Sequence, residues 1–298
     1  MPDELMPNSS GDHNLERLVR EVERFPTLPD VATRALEELE RAECDFEEVA
    51  SLVSLDPVLA GRVLRMANSA YFGAVHKAES VEAGLARMGI RECRALILTV
   101  ALMDAMPELP APHNAKVFWT LSLASALVSQ QIAVDLEYEP PERAYLAGLV
   151  HLLGEAVLAI QFTDRFRRAI EVARRDALPL SVSLTEEFGC DHAGLSAHIL
   201  TRWSFPQEVI DAVRFQFTPS QSRSSDLLCS LVVAGDGQCR DFGLGLDDPT
   251  YVARSWARKL TPGFFEALGS SRAQAIEDYL DGLTPSTQEA IDFATTIF

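Results

Sequence analysis

A chain of 298 residues exceeds one minimal core and predicts two lobes, or one domain with additions. Its 47% hydrophobic and 23% charged residues fit a folded globular protein rather than a disordered one. A formal charge of −18, with only Lys77, Lys116 and Lys259 as lysines, argues against nucleic acid or an anionic membrane as principal partner, because both are polyanions.

The first residues, MPDELMPNSSGDHN, lack the basic start and apolar stretch of a signal peptide, so the expected location is cytoplasmic. Residues 1–13 are expected to be disordered. The five cysteines (Cys44, Cys93, Cys190, Cys229, Cys239) are dispersed without a Cys-x-x-Cys pair, which predicts reduced thiols and neither a disulfide framework nor a zinc ribbon.

From residue 14 onward nearly every segment has helical period, and no run alternates apolar and polar residues like a strand. The fold class is therefore all-α, with about fifteen short helices. Asp45 to Glu48 reads as a capping box in which Asp45 accepts from the backbone of Glu48. In DPVLAGRVLRMANS, Asp56 caps and Pro57 suits the first turn, with Leu59, Val63, Met66 and Ala67 on one face. Gly89 separates a helix starting near Ser80 from the apolar one after Ile90. The apolar run Ala95 to Met103 is far short of a membrane span and reads as buried.

Three prolines in MPELPAPHN end that helix and close a first bundle spanning 14–106, with a crossover at 107–113. A long helix from Asn114 to about Asp135 opens a second bundle, 114–240. The segment AGDGQCRDFGLGLDD reads as a loop; it lacks the spaced acids and closing Glu of a calcium loop. It leads into a C-terminal helical extension, 241–298, whose last helix has Thr284 as cap and Pro285 in its first turn.

Six pieces then occur in a set order: FPTLPDVATRALE (25–37), LDPVLAGRVLRMANSAYFG (55–73), SVEAGLARMGI (80–90), FWTLSLASALVSQQIA (118–133), AYLAGLVHLLGEAVL (144–158) and EFGCDHAGLSAHILTRWSFP (187–206). Together they resemble the HDOD family, HD-related output domains of bacterial signalling proteins, over about residues 15–238. The resemblance implies a two-lobed helical bundle whose second lobe is a degenerate form of the HD and HD-GYP metal-dependent phosphohydrolase fold. Those enzymes need several imidazoles and carboxylates, because a pair of divalent ions makes hydroxide at neutral pH and clamps phosphate oxygens. On that pattern His151 keeps the His of the HD pair and Leu152 replaces its Asp. An upstream His position falls on Leu121, a His-His pair on Gln216-Phe217, and a phosphate-meeting Lys on Glu155, which reverses the charge. His192 and Asp236 match a later His and the late Asp.

The resemblance thus implies a vestigial site of His151, His192, Asp236 and Glu155, with no catalytic residue, metal or cofactor. His151 reads as a buried imidazole bonded to a backbone carbonyl or to Glu155, one turn along the same helix face. The competing reading is a mononuclear metal site with His192 and Asp236. His192 also reads as the neighbour of a cap at Asp191, His198 as solvent-facing, and Trp119 and Trp203 as core. The loop after Asn68 carries Tyr71 and Phe72 where polar residues are ordinary, making Asn68, Tyr71 and Phe72 a candidate interaction surface. The expected function is a regulatory module acting through contacts with signalling proteins. The alternative is a phosphohydrolase, or a sensor of cyclic dinucleotides, on the HD-type site.

Overall fold

The computed structural model describes residues 9–22, 27, 29–38, 45–69, 77–106, 109–110, 114–222, 225–245, 252–269 and 273–297. Among these there are seventeen α-helices, short 3-10 turns and no strand. The protein is an all-α bundle.

Helix α1 (Ser9–Glu21) takes in residues 9–13, which the sequence reading had assigned to a disordered terminus. Its docking explains the difference. Leu18 is buried, and Asn14 Nδ2 donates to the carbonyl of Gly189 at 3.1 Å, so tertiary contact holds the helix. Helices α2 (Asp30–Glu38), α3 (Phe46–Ser54), α4 (Pro57–Ala67), α5 (Val81–Met88) and α6 (Ile90–Ala105) follow. Asp45 caps α3 through the amide of Glu47 at 2.8 Å rather than that of Glu48, one free donor earlier in the first turn. Asp56 accepts from the amides of Val58 and Leu59 with Pro57 at the first position, and Leu59, Val63, Met66 and Ala67 are all buried. Gly89 ends α5 and opens α6 at φ +91°, a region that favours glycine.

After the proline-bearing segment, Asn114 caps α7 (Ala115–Asp135) by accepting from the amide of Lys116 at 2.8 Å. Fourteen of the 21 residues of α7 are buried. By length and composition this helix, like the stretch Glu142–Gln161, is apolar enough to cross a membrane, but 78% and 83% of them are buried inside the protein. The apolarity of α7 on every side is that of a helix surrounded by others.

The helices that follow are α8 (Glu142–Val150), α9 (Leu153–Gln161), α10 (Thr163–Asp176), α11 (Leu180–Phe188), α12 (His192–Arg202), α13 (Gln207–Arg214) and α14 (Asp226–Asp241), of which α8 and α14 pack along α7. The first eight residues of the segment read as a glycine-rich loop, 234–241, are the last two turns of α14. Gly235 is there for contact: a Cβ on it would stand 2.1 Å from Ser129 Oγ and 2.8 Å from the Ser125 carbonyl of α7. The glycine lets two helix backbones approach, and Ser129 Oγ donates across the seam to the Leu231 carbonyl at 3.2 Å.

Past α14, Asp241 accepts from the Arg254 amide at 3.0 Å and from Trp256 Nε1 at 3.1 Å. Arg254 in turn pairs with Glu277 and Asp281 of α16 (Ala273–Gly282), which follows α15 (Pro262–Ala267). The last helix, α17 (Thr284–Ile297), starts at Thr284 rather than after it, with the Leu283 carbonyl accepting from the Thr287 amide at 2.9 Å. It lies along α7 and reaches α4, burying Ala290, Phe293, Ala294 and Ile297. The buried side chains form one continuous cluster from Leu18 to Ile297.

Candidate functional site: the His151 cluster

His151 sits where α8 stops and α9 has not begun. Its Nδ1 lies 2.7 Å from the carbonyl of Gly148, the oxygen that an unbroken helix would offer to the amide of Leu152. The ring competes for that acceptor, and the chain turns at His151 and Leu152, the latter at φ −95°, ψ 5°. The carbonyl of His151 is left at a helix end and gains two side-chain donors, Gln216 Nε2 at 3.0 Å and Ser196 Oγ at 3.2 Å. Ser196 Oγ also accepts from the Gly154 amide at 2.7 Å, tying α9 to α12.

The other ring nitrogen, Nε2, meets Asp236 Oδ1 at 3.2 Å, and Asp236 Oδ2 accepts from Arg240 Nε at 2.7 Å. His151 is 1% exposed, so this arrangement is internal. Burial alone would raise the Asp236 carboxyl, but Arg240 and His151 outweigh it and hold the group well below the usual carboxylate range. Both nitrogens of His151 face acceptors, and the two bonds are made together only when both carry protons.

His192, the first residue of α12, follows its cap Asp191, whose side chain accepts from the Gly194 amide at 2.7 Å. The imidazole is buried, neither ring nitrogen has a hydrogen-bond partner, and it stands edge-on to Phe217 with centroids 5.2 Å apart. Its Nδ1 is 3.9 Å from Glu155 Oε2, itself buried.

The four vestigial residues therefore form two pairs, His151 with Asp236 and Glu155 with His192. The expectation that Glu155 would face His151 is corrected, because the turn at 151–152 breaks the helical register between them. The expected carbonyl partner of His151 is there. The mononuclear alternative, His151 with His192 and Asp236, is not assembled: among the described residues no three His, Cys, Asp or Glu stand close enough to hold a metal. Leu121 and Leu152 are buried apolar residues.

Asn68, half-buried, acts as a clasp. Its Nδ2 donates to the Ala78 carbonyl at 2.9 Å and its Oδ1 accepts from the Ala78 amide at 2.6 Å, so both ends of the amide are used. Tyr71 and Phe72 lie outside the described residues. Trp119 is core as expected, edge-on to Phe118, and Trp203 is half-buried against the core. His198 is half-buried rather than solvent-facing, because α12 is enclosed along most of its length. Sequence reasoning missed three contributors: Arg240, Ser196 and the capping role of Gln216. A signal existed for the first, since Arg240 stands four residues after Asp236 on one helix.

A family model for the HDOD domain matches residues 25–219, well over half of the chain. The chain belongs to the HDOD domain family. An HDOD domain protein of unknown function from Geobacter sulfurreducens has the same fold at TM-score 0.83, 21% identical, covering 98% of this chain and 99% of that one. A protein described as a candidate signal transduction protein from Marinobacter aquaeolei VT8 aligns at 0.74, 20% identical, over 97% of this chain and 66% of its own. One described as a candidate phosphohydrolase from Shewanella amazonensis SB2B aligns at 0.72, 22% identical, over 94% and 98%. At such identities the likeness is one of fold. In sequence, an uncharacterized protein of Treponema pallidum (strain Nichols) is 24% identical over 201 residues, 65% of this chain, and the chain spans 38% of that protein's length.

The metal pair of HD phosphohydrolases does not suit the residues of this HDOD domain. Arg240 Nε donates to one oxygen of Asp236 and His151 Nε2 stands against the other, so both carboxylate oxygens are already engaged. His192 gives the HDOD cluster a pH response. Burial lowers its pKa, with Glu155 opposing that effect. A base whose folded pKa lies below its unfolded value of about 6.5 contributes stability that is present above that pH and lost below it. Urea unfolding from pH 8 to 5 is expected to show stability falling below about pH 6.5, by up to about 1.4 kcal/mol per pH unit. His192→Asn should flatten that limb; an unchanged limb in the variant would assign it to other groups.

Proposed function

We propose that this HDOD domain is a non-catalytic regulatory module of a bacterial signalling system, working in the cytoplasm through contacts with other signalling proteins. The observation that carries the reading is the double engagement of Asp236 by His151 and Arg240. A carboxylate with one oxygen bonded to the Arg240 guanidinium and the other against the His151 ring is already engaged at both oxygens, which disfavours its bridging metal ions. Glu155 supports the same reading, since a buried carboxylate beside His192 repels an incoming phosphate. With chemistry gone from the HD-type site, surface is what the domain offers a partner.

Two measurements test this together. Elemental analysis of protein purified without chelators is expected to find no stoichiometric divalent metal. Cyclic dinucleotides and nucleoside phosphates, incubated with the protein in Mg²⁺ or Mn²⁺, are expected to remain intact. Turnover that disappears in His151→Ala would overturn the non-catalytic reading.

A further inference from the structure

Away from the His151 cluster, a cleft of about 250 Å³ opens where α4, α6, α7, α8 and α17 meet. Its floor is apolar and buried, made by Met66, Leu96, Leu127 and Phe293. Tyr145 forms a wall, its hydroxyl turned to Thr99 Oγ1 at 2.6 Å. Over this lie Glu92 of α6 and Gln130 of α7, both half-buried. Gln131, also in the lining, is tied to Asp135 at 2.7 Å. No Lys, Arg or His lines the cleft, and the nearby Arg91 is engaged by Glu142 at 3.0 Å rather than by Glu92.

The geometry points to a binding site for a small organic ammonium ion, with Glu92 as its counter-ion. The carboxylate of Glu92 is the only formal charge among the lining residues, and among the described residues no ion pair to it is found. An ammonium on a hydrocarbon body satisfies each part of the cleft at once. The charge meets Glu92 in a charge-assisted hydrogen bond, and the apolar body packs on the floor and against Tyr145 and Phe293. A neutral alcohol of the same shape forgoes the ionic bond, and a carboxylate is repelled by Glu92 as well as by the net charge of −18. The volume suits a ligand smaller than a drug-sized molecule, one ring or a short chain with one amine. The site joins the N-terminal helices α4 and α6 to the last helix α17, so its occupancy braces parts of the chain that are far apart in sequence.

The test is binding to the purified full chain, read by thermal denaturation and by ligand-detected NMR. Phenethylammonium and cyclohexylammonium are the probes, with 2-phenylethanol and 3-phenylpropionate as matched controls. Both amines are expected to bind saturably and raise the melting temperature, and neither control should. Glu92→Gln, a conservative change at a half-buried position, should keep the fold and weaken amine binding about tenfold or more. Ala95→Leu, which fills the cleft from its wall, should abolish binding. The proposal is overturned by equal binding of amine and alcohol, by undiminished binding in Glu92→Gln or Ala95→Leu, or by no saturable binding in the millimolar range. None of these outcomes bears on the metal and turnover measurements at His151, which involve other residues.

Discussion

Gly154→Val is expected to abolish folding. A Cβ at Gly154 would stand 2.2 Å from the His192 carbonyl oxygen and 2.7 Å from the Ser196 amide nitrogen. Both are backbone atoms of α12, which no side-chain rotation can move aside, so α9 and α12 must separate. The Gly154 amide then loses Ser196 Oγ, and Ser196 loses its place under the His151 carbonyl. Even alanine meets this obstacle; valine adds two methyl groups to it. The cost is expected to exceed about 4 kcal/mol, a large part of the roughly 5–15 kcal/mol that holds a domain folded. Gly61 is the internal control, since nothing lies within 4 Å of its Cβ position in α4. Gly61→Ala should stabilise by about 0.5–1 kcal/mol through helix propensity. Soluble yield, circular dichroism and melting temperature decide the matter, and a Gly154→Ala protein melting with the parent would show that the two helices have slack.

The second large effect is expected at Asp236. Asp236→Ala leaves the Nε2 of a buried His151 and the guanidinium of Arg240 facing each other without the anion between them. Removing one partner from such an arrangement costs on the order of 3–5 kcal/mol, and the lower end applies here because Asp236 is itself 22% exposed. The acid limb gives an independent reading. A carboxylate whose folded pKa is depressed contributes stability present above its unfolded value of about 3.9 and lost as pH falls through the folded value. The parent should therefore lose stability below about pH 4, while Asp236→Ala, already weakened, should lose less of it there. Urea midpoints at pH 7 and pH 3 measure both effects. Equal midpoints for parent and variant at pH 7 would mean that the His151–Asp236–Arg240 arrangement adds nothing to folding.

Most of the helices were legible in the sequence because their ends carry local signals. Asp56, Asn114 and Gly89 each act on amides or dihedrals within a few residues, and the structure uses all three. Where legibility failed, long-range packing decided. The glycines of α14 look like loop glycines until a facing helix is known, and only the 2.1 Å approach to Ser129 explains Gly235. The start of α1 depends on Gly189, 175 residues away from Asn14. The site divided the same way. That His151 is buried against a carbonyl follows from an apolar neighbourhood, yet its partner Asp236 is 85 residues on. The pairing of Glu155 with His192 could not be read from helical spacing, because His151 itself interrupts the helix.

The carbonyl of His151 has a consequence for the history of the fold. Gln216 occupies a position where an active relative is expected to hold a metal ligand, and here its amide closes the end of α8. On the proposed non-catalytic reading, building a metal site here would therefore demand more than placing ligands. A histidine at 216 removes a cap, an aspartate at 152 enters a site that is 3% exposed, and Arg240 still holds Asp236. Each single step costs stability before any returns activity. On that reading, the contacts that hold these helix ends together are themselves the obstacle to a metal site.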